Sequence, residues 1–449
     1  MAHTLYSQQF KNIPAAKDLK KFNEICKKSA HVLQSEIKAS ELAAIDAIFA
    51  ETDLKEFTKL AKKIAFYEKV LVLGVGGSSL GGKTLTALKC QNKLEFLESI
   101  DPATIQNCLA KIDLRNTFFL VISKSGETIE TICQSLIILA EIEKAKIQNF
   151  AAQFLFITES ITNSLAKIAQ KIGAEIAFHP NKIGGRYSCF SIVGILPAML
   201  AGLDGKKIRD GAKKILDNFL TKSDITNSCA TQLALYEQGF TSNVIMPYID
   251  SLKNFTDWYR QLWAESLGKT ILCPKKFEEV VRRASSEEGV YQDIHDRRAA
   301  QAQRSQNSNF EEHFGSVPIN SMGTIDQHSQ LQLYLEGPKD KFFTFITAKN
   351  HPQDFAIKDL VGCATLFGGK KLSEIVKVEQ ETTIEVLNRK KLPIRIFEIE
   401  KLDEEVLGGL MMQMFLEVIL IARAKGINPF DQPAVELRKN LAKKILSEA

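Results

Sequence analysis

From Lys69 onward the hydrophobic pattern of this chain alternates between two rhythms. Short β-rich runs, VLVLG, EFLES, FFLVIS, QFLFITE and AEIAFH, are separated by helix-length amphipathic stretches such as TIETICQSLIILAEIEKAK. Runs this apolar, joined through helices, predict a parallel sheet covered on both faces. A helical bridge over residues 191–220 leads into a second set of predicted strands, NVIMPY, KTILCP, FFTFIT and PIRIFEI, again interleaved with helices. Ahead of both, residues 1–55 place apolar and charged positions at helical spacing, as in FNEICKKSAHVLQ, and predict an N-terminal helical cap. Behind both come a long apolar helix, EEVLGGLMMQMFLEVILIARAKG, a turn, NPFDQP, and a basic amphipathic helix. The expected fold is α/β: two αβα sandwich domains with parallel sheets over 56–220 and 221–400, plus a C-terminal helical segment over 401–449.

One stretch breaks the rhythm. Residues 275–313 are strongly charged and poor in apolar side chains, with RRASSEEG and HDRRAAQAQRSQNSNFEEH inside them, and predict an exposed polar insertion in the second domain. Overall composition then narrows the function classes. The 58 basic and 53 acidic residues leave a net charge of +5, too small over 449 residues to argue for a nucleic-acid or membrane partner. The N-terminus, MAHTLYSQQFKNIP, lacks the apolar run of a signal peptide, and no later segment is expected to cross a bilayer, so a cytoplasmic chain is expected. Cys26, Cys90, Cys108, Cys133, Cys189, Cys229, Cys273 and Cys363 form no CxxC pair, and the seven histidines are equally dispersed. Reduced thiols and no metal site are expected.

Candidate chemistry begins where strand VLVLG runs into GVGGSSLGG and a helix. Glycines there let backbone amides and the Ser78 and Ser79 hydroxyls converge near a helix N-terminus, a cradle suited to phosphate. Gly77–Thr84, GSSLGGKT, also satisfies the pattern GxxxxGK[ST] of a nucleotide-binding P-loop, with Lys83 and Thr84 placed for phosphates and magnesium. Against that reading, FFLVIS and QFLFITE end without the aspartate that would hold magnesium. The dinucleotide fingerprint GxGxxG fails at Ser79. A second anion site follows FFLVI, where SKSGET sets Ser123, Ser125 and Thr128 ahead of a helix starting at Ile129. Simple N-capping would use the same residue types. Two cradles after two strands of one parallel sheet favour ligand binding at the strand C-terminal ends.

The blocks GVGGSSLG, SKSGETIET, IGGRYSCFSIVGILP, QLWAESLGK, GTIDQHSQLQ and NPFDQPAVELRK stand in the order found in phosphoglucose isomerases, and the chain resembles that family from about residue 69 to 439. The resemblance implies two sugar-isomerase (SIS) domains and a homodimer whose active sites draw on both subunits. It implies a small sugar phosphate as substrate, no cofactor, and interconversion of glucose 6-phosphate and fructose 6-phosphate, in glycolysis and gluconeogenesis, through ring opening and a cis-enediol. By the same resemblance Glu265 in QLWAESLGK is the base that moves a proton between C1 and C2, a task that suits an ionised, partly desolvated carboxylate. Arg186 in GGRYS is the cation that stabilises the enediolate. His328 in DQHSQ opens the ring, aided by Lys439 in VELRK. Gly77, Ser78, Ser123, Lys124, Ser125 and Thr128 take the phosphate, and Gln261, one helical turn before Glu265, bonds the substrate. Without the resemblance, Glu265 reads as a surface charge on a helix and Arg186 as an ordinary ion pair. The chain departs from the family pattern in the 275–313 insertion, in Arg438 where glycine is usual, and in Ala434 where glycine is often found. A non-catalytic sugar-phosphate sensor would keep the serines and Thr128 but have no use for Glu265, Arg186, His328 and Lys439.

Overall fold

The computed structural model describes residues 5–89, 92–272, 311–363 and 366–448. Its strands, in chain order, are β1 (Tyr6–Lys11), β2 (Lys69–Leu73), β3 (Leu94–Leu97), β4 (Thr117–Ile122), β5 (Phe154–Thr158), β6 (Glu175–Phe178), β7 (Ser242–Pro247), β8 (Lys269–Leu272), β9 (Glu311–Phe314), β10 (Val317–Asn320), β11 (Lys341–Ala348) and β12 (Ile394–Ile399). The first sheet runs β3-β2-β4-β5-β6, parallel throughout. The second runs β1-β12-β11-β7-β10, parallel except for β1. Central β4 is buried along its whole length, as its unbroken TFFLVI run requires, whereas edge strand β6 is not. A single apolar cluster joins the inward faces of both sheets through the helix Glu404–Ala424, and each sheet has a separate cluster on its other face. The α/β class with helix-covered parallel sheets and a helical C-terminal segment is therefore what the apolar rhythm predicted.

Three local departures have physical reasons. The N-terminal segment opens with a strand: β1 lies antiparallel on β12, Tyr6 opposite Ile399 through Lys11 opposite Ile394. Six residues carry little strand signal by themselves, and this edge is secured by distant partners, with Tyr6 Oη donating to Gln413 Oε1 at 2.6 Å and its ring edge-on to Phe397. Next, KTILCP does not enter the second sheet; β8 pairs antiparallel with β9 in a two-stranded ribbon of its own. Last, and against expectation, Glu404–Ala424 is long and apolar enough to cross a bilayer, yet it is almost wholly buried inside the protein. A helix apolar all round belongs to a core as readily as to a membrane. The predicted insertion falls at positions outside the described residues, except 311–313, which belong to β9.

In the first sheet the chain leaves β2 for β3 on one side and returns to β4 on the other. A crevice at the C-terminal ends of β2 and β4 follows from that reversal.

Candidate active site

The loop after β2 enters the crevice as a single turn, Gly76–Ser78. Glycine is required at 77 by proximity: a Cβ there would lie 2.3 Å from the Gly185 carbonyl carbon, so the turn packs backbone to backbone against the segment carrying Arg186. Beyond it, Glu98 accepts from the Ser79 hydroxyl at 2.5 Å and pairs with Lys83 at 2.5 Å. The Thr84 hydroxyl is buried and donates toward the Leu80 and Asn254 carbonyls, at 2.8 and 2.9 Å. Both residues that a P-loop would direct at nucleotide and magnesium are thus committed to the protein itself, which removes support for the nucleotide reading.

The loop after β4 is knit together internally. Ser123 and Thr128 hydroxyls lie 2.9 Å apart, and Ser123 Oγ also accepts from the Gly126 amide at 3.2 Å. Ser125 Oγ accepts from the Glu127 amide at 3.2 Å. Lys124 extends toward Glu159, at 3.7 Å and partly exposed. The helix Ile129–Lys144 starts directly behind, so its unpaired first-turn amides add to the positive potential there. His179, at the end of β6, is 3% exposed, and its Nδ1 lies 2.9 Å from the Pro180 carbonyl. Burial, with a smaller contribution from the Lys124 charge, brings its pKa down to about 4, so the ring beside this loop is neutral.

On the other wall, the helix Lys253–Leu267 presents Gln261 and Glu265 one turn apart, and Gln261 Nε2 donates to Glu265 Oε1 at 3.2 Å. A Cβ on Gly76 would come 3.0 Å from that same Nε2, which places Gln261 against the turn after β2. Arg186 is buried and reaches Glu265 Oε2 at 3.2 Å, while the Glu265 side chain keeps 33% exposure. The guanidinium is pinned on all sides: Nε donates to Ser266 Oγ at 2.8 Å, and Nη1 to Gln432 Oε1 at 2.8 Å. Nη2 donates to the Asp431 carbonyl at 2.9 Å and to that of Pro429. Lys269 binds the same turn, its ammonium 2.8 Å from Asp431 Oδ1, and burial lowers its pKa. A rigid cation beside an accessible carboxylate is suited to a reaction that moves a proton and develops negative charge on oxygen.

Gly77, Ser78, Gln261, Glu265 and Arg186 are therefore brought together by the fold, with Ser123, Lys124, Ser125 and Thr128 on the loop that follows the adjoining strand, β4. Lys439 sits on the C-terminal helix Pro433–Glu448, half-exposed, its ammonium 2.7 Å from Glu436. Its neighbour Arg438 reaches Glu130 at 3.9 Å, just past the loop after β4. His328 is exposed on the turn after the short helix Gly323–Asp326. Asp326 feels the charge of Lys253, at the opposite end of the helix from Glu265, about 18 Å along its axis. Among the described residues no hydrogen bond or ion pair joins His328 to Arg186 or Glu265. Ser266, Lys269 and Gln432 were not singled out from the sequence, although all three lie inside quoted blocks. The carbonyls of Pro429 and Asp431 leave no signature in side-chain identity.

A glycine turn against a carboxylate paired with a buried cation, and a hydroxyl-rich loop at the end of the next strand, suit proton transfer on a phosphorylated sugar, the work of the sugar-phosphate isomerases. A family model described as phosphoglucose isomerase matches residues 55–285. A glucose-6-phosphate isomerase of Campylobacter jejuni is 30% identical over 93% of this chain and 95% of its own length. One from Methanocaldococcus jannaschii is 30% identical over 86% of each. In fold, the chain is similar to a crystal structure of a hypothetical protein from Thermus thermophilus, with a TM-score of 0.82 at 24% identity over 98% of this chain and 100% of the other. A glucose-6-phosphate isomerase from Chlamydia trachomatis gives 0.77 at 20% identity over 99% and 88%. The chain belongs to the phosphoglucose isomerase family.

Proposed function

We propose that this chain interconverts glucose 6-phosphate and fructose 6-phosphate, with Glu265 moving the proton between C1 and C2 and Arg186 holding the charge of the enediolate. The carrying observation is the contrast within the pair: a buried guanidinium fixed by Ser266, Gln432 and two carbonyls, against a carboxylate that remains one-third exposed. A preorganised cation need not rearrange as charge develops on the substrate, and this supplies much of the rate. The phosphate, taken by Gly77, Ser78, Ser123, Lys124, Ser125 and Thr128, holds the open-chain sugar so that the reacting carbons meet Glu265. Lys439 assists ring opening from the C-terminal helix.

His328 enters this reading from a second copy of the chain in a cytoplasmic homodimer, which accounts for its distance from Glu265 in a single chain. Turnover of fructose 6-phosphate, followed by a dehydrogenase specific for glucose 6-phosphate, tests the reaction. Mixed dimers of Glu265→Gln and His328→Ala test the geometry. Random reassociation of the two inactive variants restores about one quarter of native activity if each site takes its histidine from the partner subunit, and none if both residues act in one chain.

A further inference from the structure

A carboxylate in the middle of a phosphate loop would repel a dianion, yet SKSGET carries Glu127. Its charge is directed elsewhere. Glu127 Oε1 accepts from the Ser164 amide at 2.8 Å and Oε2 from the Ser164 hydroxyl at 3.0 Å. Both bonds lie at the N-terminus of the helix Ser164–Ile172, where negative charge is stabilised.

Asn163, immediately before that helix, does two more things. Its Oδ1 caps the helix through the Ala166 amide at 2.9 Å, and its Nδ2 donates to Thr158 Oγ1 at 2.7 Å. Thr158 Oγ1 in turn donates to the Lys124 carbonyl at 3.1 Å, which also accepts from the Glu159 amide at 3.0 Å. The Gly126 carbonyl is drawn the same way, toward the Leu165 amide at 3.1 Å. Because a trans peptide sets N–H opposite C=O, drawing the Lys124 carbonyl back turns the Ser125 amide away from these contacts. Gly126 completes the fit: its φ is +65°, and a Cβ on it would lie 2.1 Å from Asn163 Cγ. Neither Glu127 nor Asn163 was among the residues expected to contact phosphate.

We propose that Glu127, Thr158 and Asn163 are positioning residues for phosphate binding, a brace from the start of the Ser164–Ile172 helix that holds the loop open to the substrate's phosphate. This rests on the reading that 123–128 takes that phosphate. The test uses the full chain and four variants, Glu127→Ala, Thr158→Val, Asn163→Asp and Lys124→Met. It measures KM and kcat for fructose 6-phosphate, inhibition by inorganic phosphate, and melting temperature. The first two are expected to raise KM and the phosphate inhibition constant together by about five- to ten-fold, with kcat changed less than about two-fold. Asn163→Asp is the discriminating variant. Aspartate caps a helix as well as asparagine, so melting should hold. Being an acceptor only, it would pull the Thr158 proton away from the Lys124 carbonyl and still raise both constants. Lower melting with KM and phosphate inhibition unchanged would reduce the brace to ordinary structure and overturn the proposal. Lys124→Met separates the two ideas: if it leaves both constants unchanged, the phosphate-site reading fails. If it raises them while the brace variants do not, only the brace fails.

Discussion

Among the described residues two buried arginines, Arg395 and Arg186, pair with a glutamate, and the two pairs are built differently. Arg395 and Glu417 are both 0% exposed in their side chains and meet in a fork, Nη1 2.8 Å from each carboxylate oxygen. Ser228, Gln232 and Gln413 donate to the same carboxylate at 2.8, 3.1 and 2.8 Å. Phe342 and Phe397 flank the guanidinium. At the crevice the arginine is equally buried and even more thoroughly anchored, but Glu265 accepts only from Arg186 and Gln261 among the described residues and stays one-third open. A saturated carboxylate is structure, because nothing is left to accept a proton without breaking the network. An undersaturated one beside a fixed cation is poised for chemistry.

The comparison breaks if Glu265 is dispensable. Glu265→Gln is expected to lower kcat by about 10²- to 10⁴-fold while melting stays close to native, since the amide keeps the size and one acceptor. Near-native turnover would move the base elsewhere. The mirror-image change, Glu417→Gln, should cost about 3–5 kcal/mol of folding stability by leaving Arg395 uncompensated in the core. Activity per folded molecule should hold, so denaturant unfolding and kinetics together show whether the two pairs divide the labour as described.

His179 extends the comparison to a buried group that is kept neutral. With a pKa of about 4 in the folded chain against an ordinary 6.5, the unfolded chain binds the extra proton first as pH falls. Stability from this group is complete above pH 6.5 and is lost progressively toward pH 4, by up to about 3 kcal/mol. Stability measured against pH should therefore fall less steeply across that window in His179→Gln than in the native chain. The smallest effect belongs to Lys83, whose pair with Glu98 is about a quarter exposed on both sides. Lys83→Met should change stability by no more than about 1 kcal/mol. ATP with magnesium should leave the melting temperature of the native chain where it is, whereas a rise would restore the nucleotide reading.

How much of this was legible depended on distance along the chain. β4 and β5 follow from runs such as FFLVI and QFLFIT, because period and apolarity act through adjacent residues. The glycine-rich turn and SKSGET could be read as anion loops because a few consecutive residues build each one. Glu265 and Arg186 needed the motif order as well, since an isolated glutamate on a helix looks like surface. Glu417 went unremarked inside a helix read only as apolar, for burial of a charge is decided by Arg395, Ser228 and Gln232, none of them nearby in sequence. His328 showed its residue type but not its position.

The sequence by itself determined the alternation of strand and helix, two glycine- and hydroxyl-rich turns at strand ends, and the residue types, Glu265 and Arg186, that the fold pairs. Tertiary structure decided the rest: that β1 closes the second sheet, that Lys83 is tied to Glu98, that Arg186 is gripped by a turn 246 residues away at Gln432, and that His328 stands apart. The physical reason is that dihedral preference and facing period are local properties, whereas burial, carbonyl acceptors and charge compensation come into being only when distant segments pack.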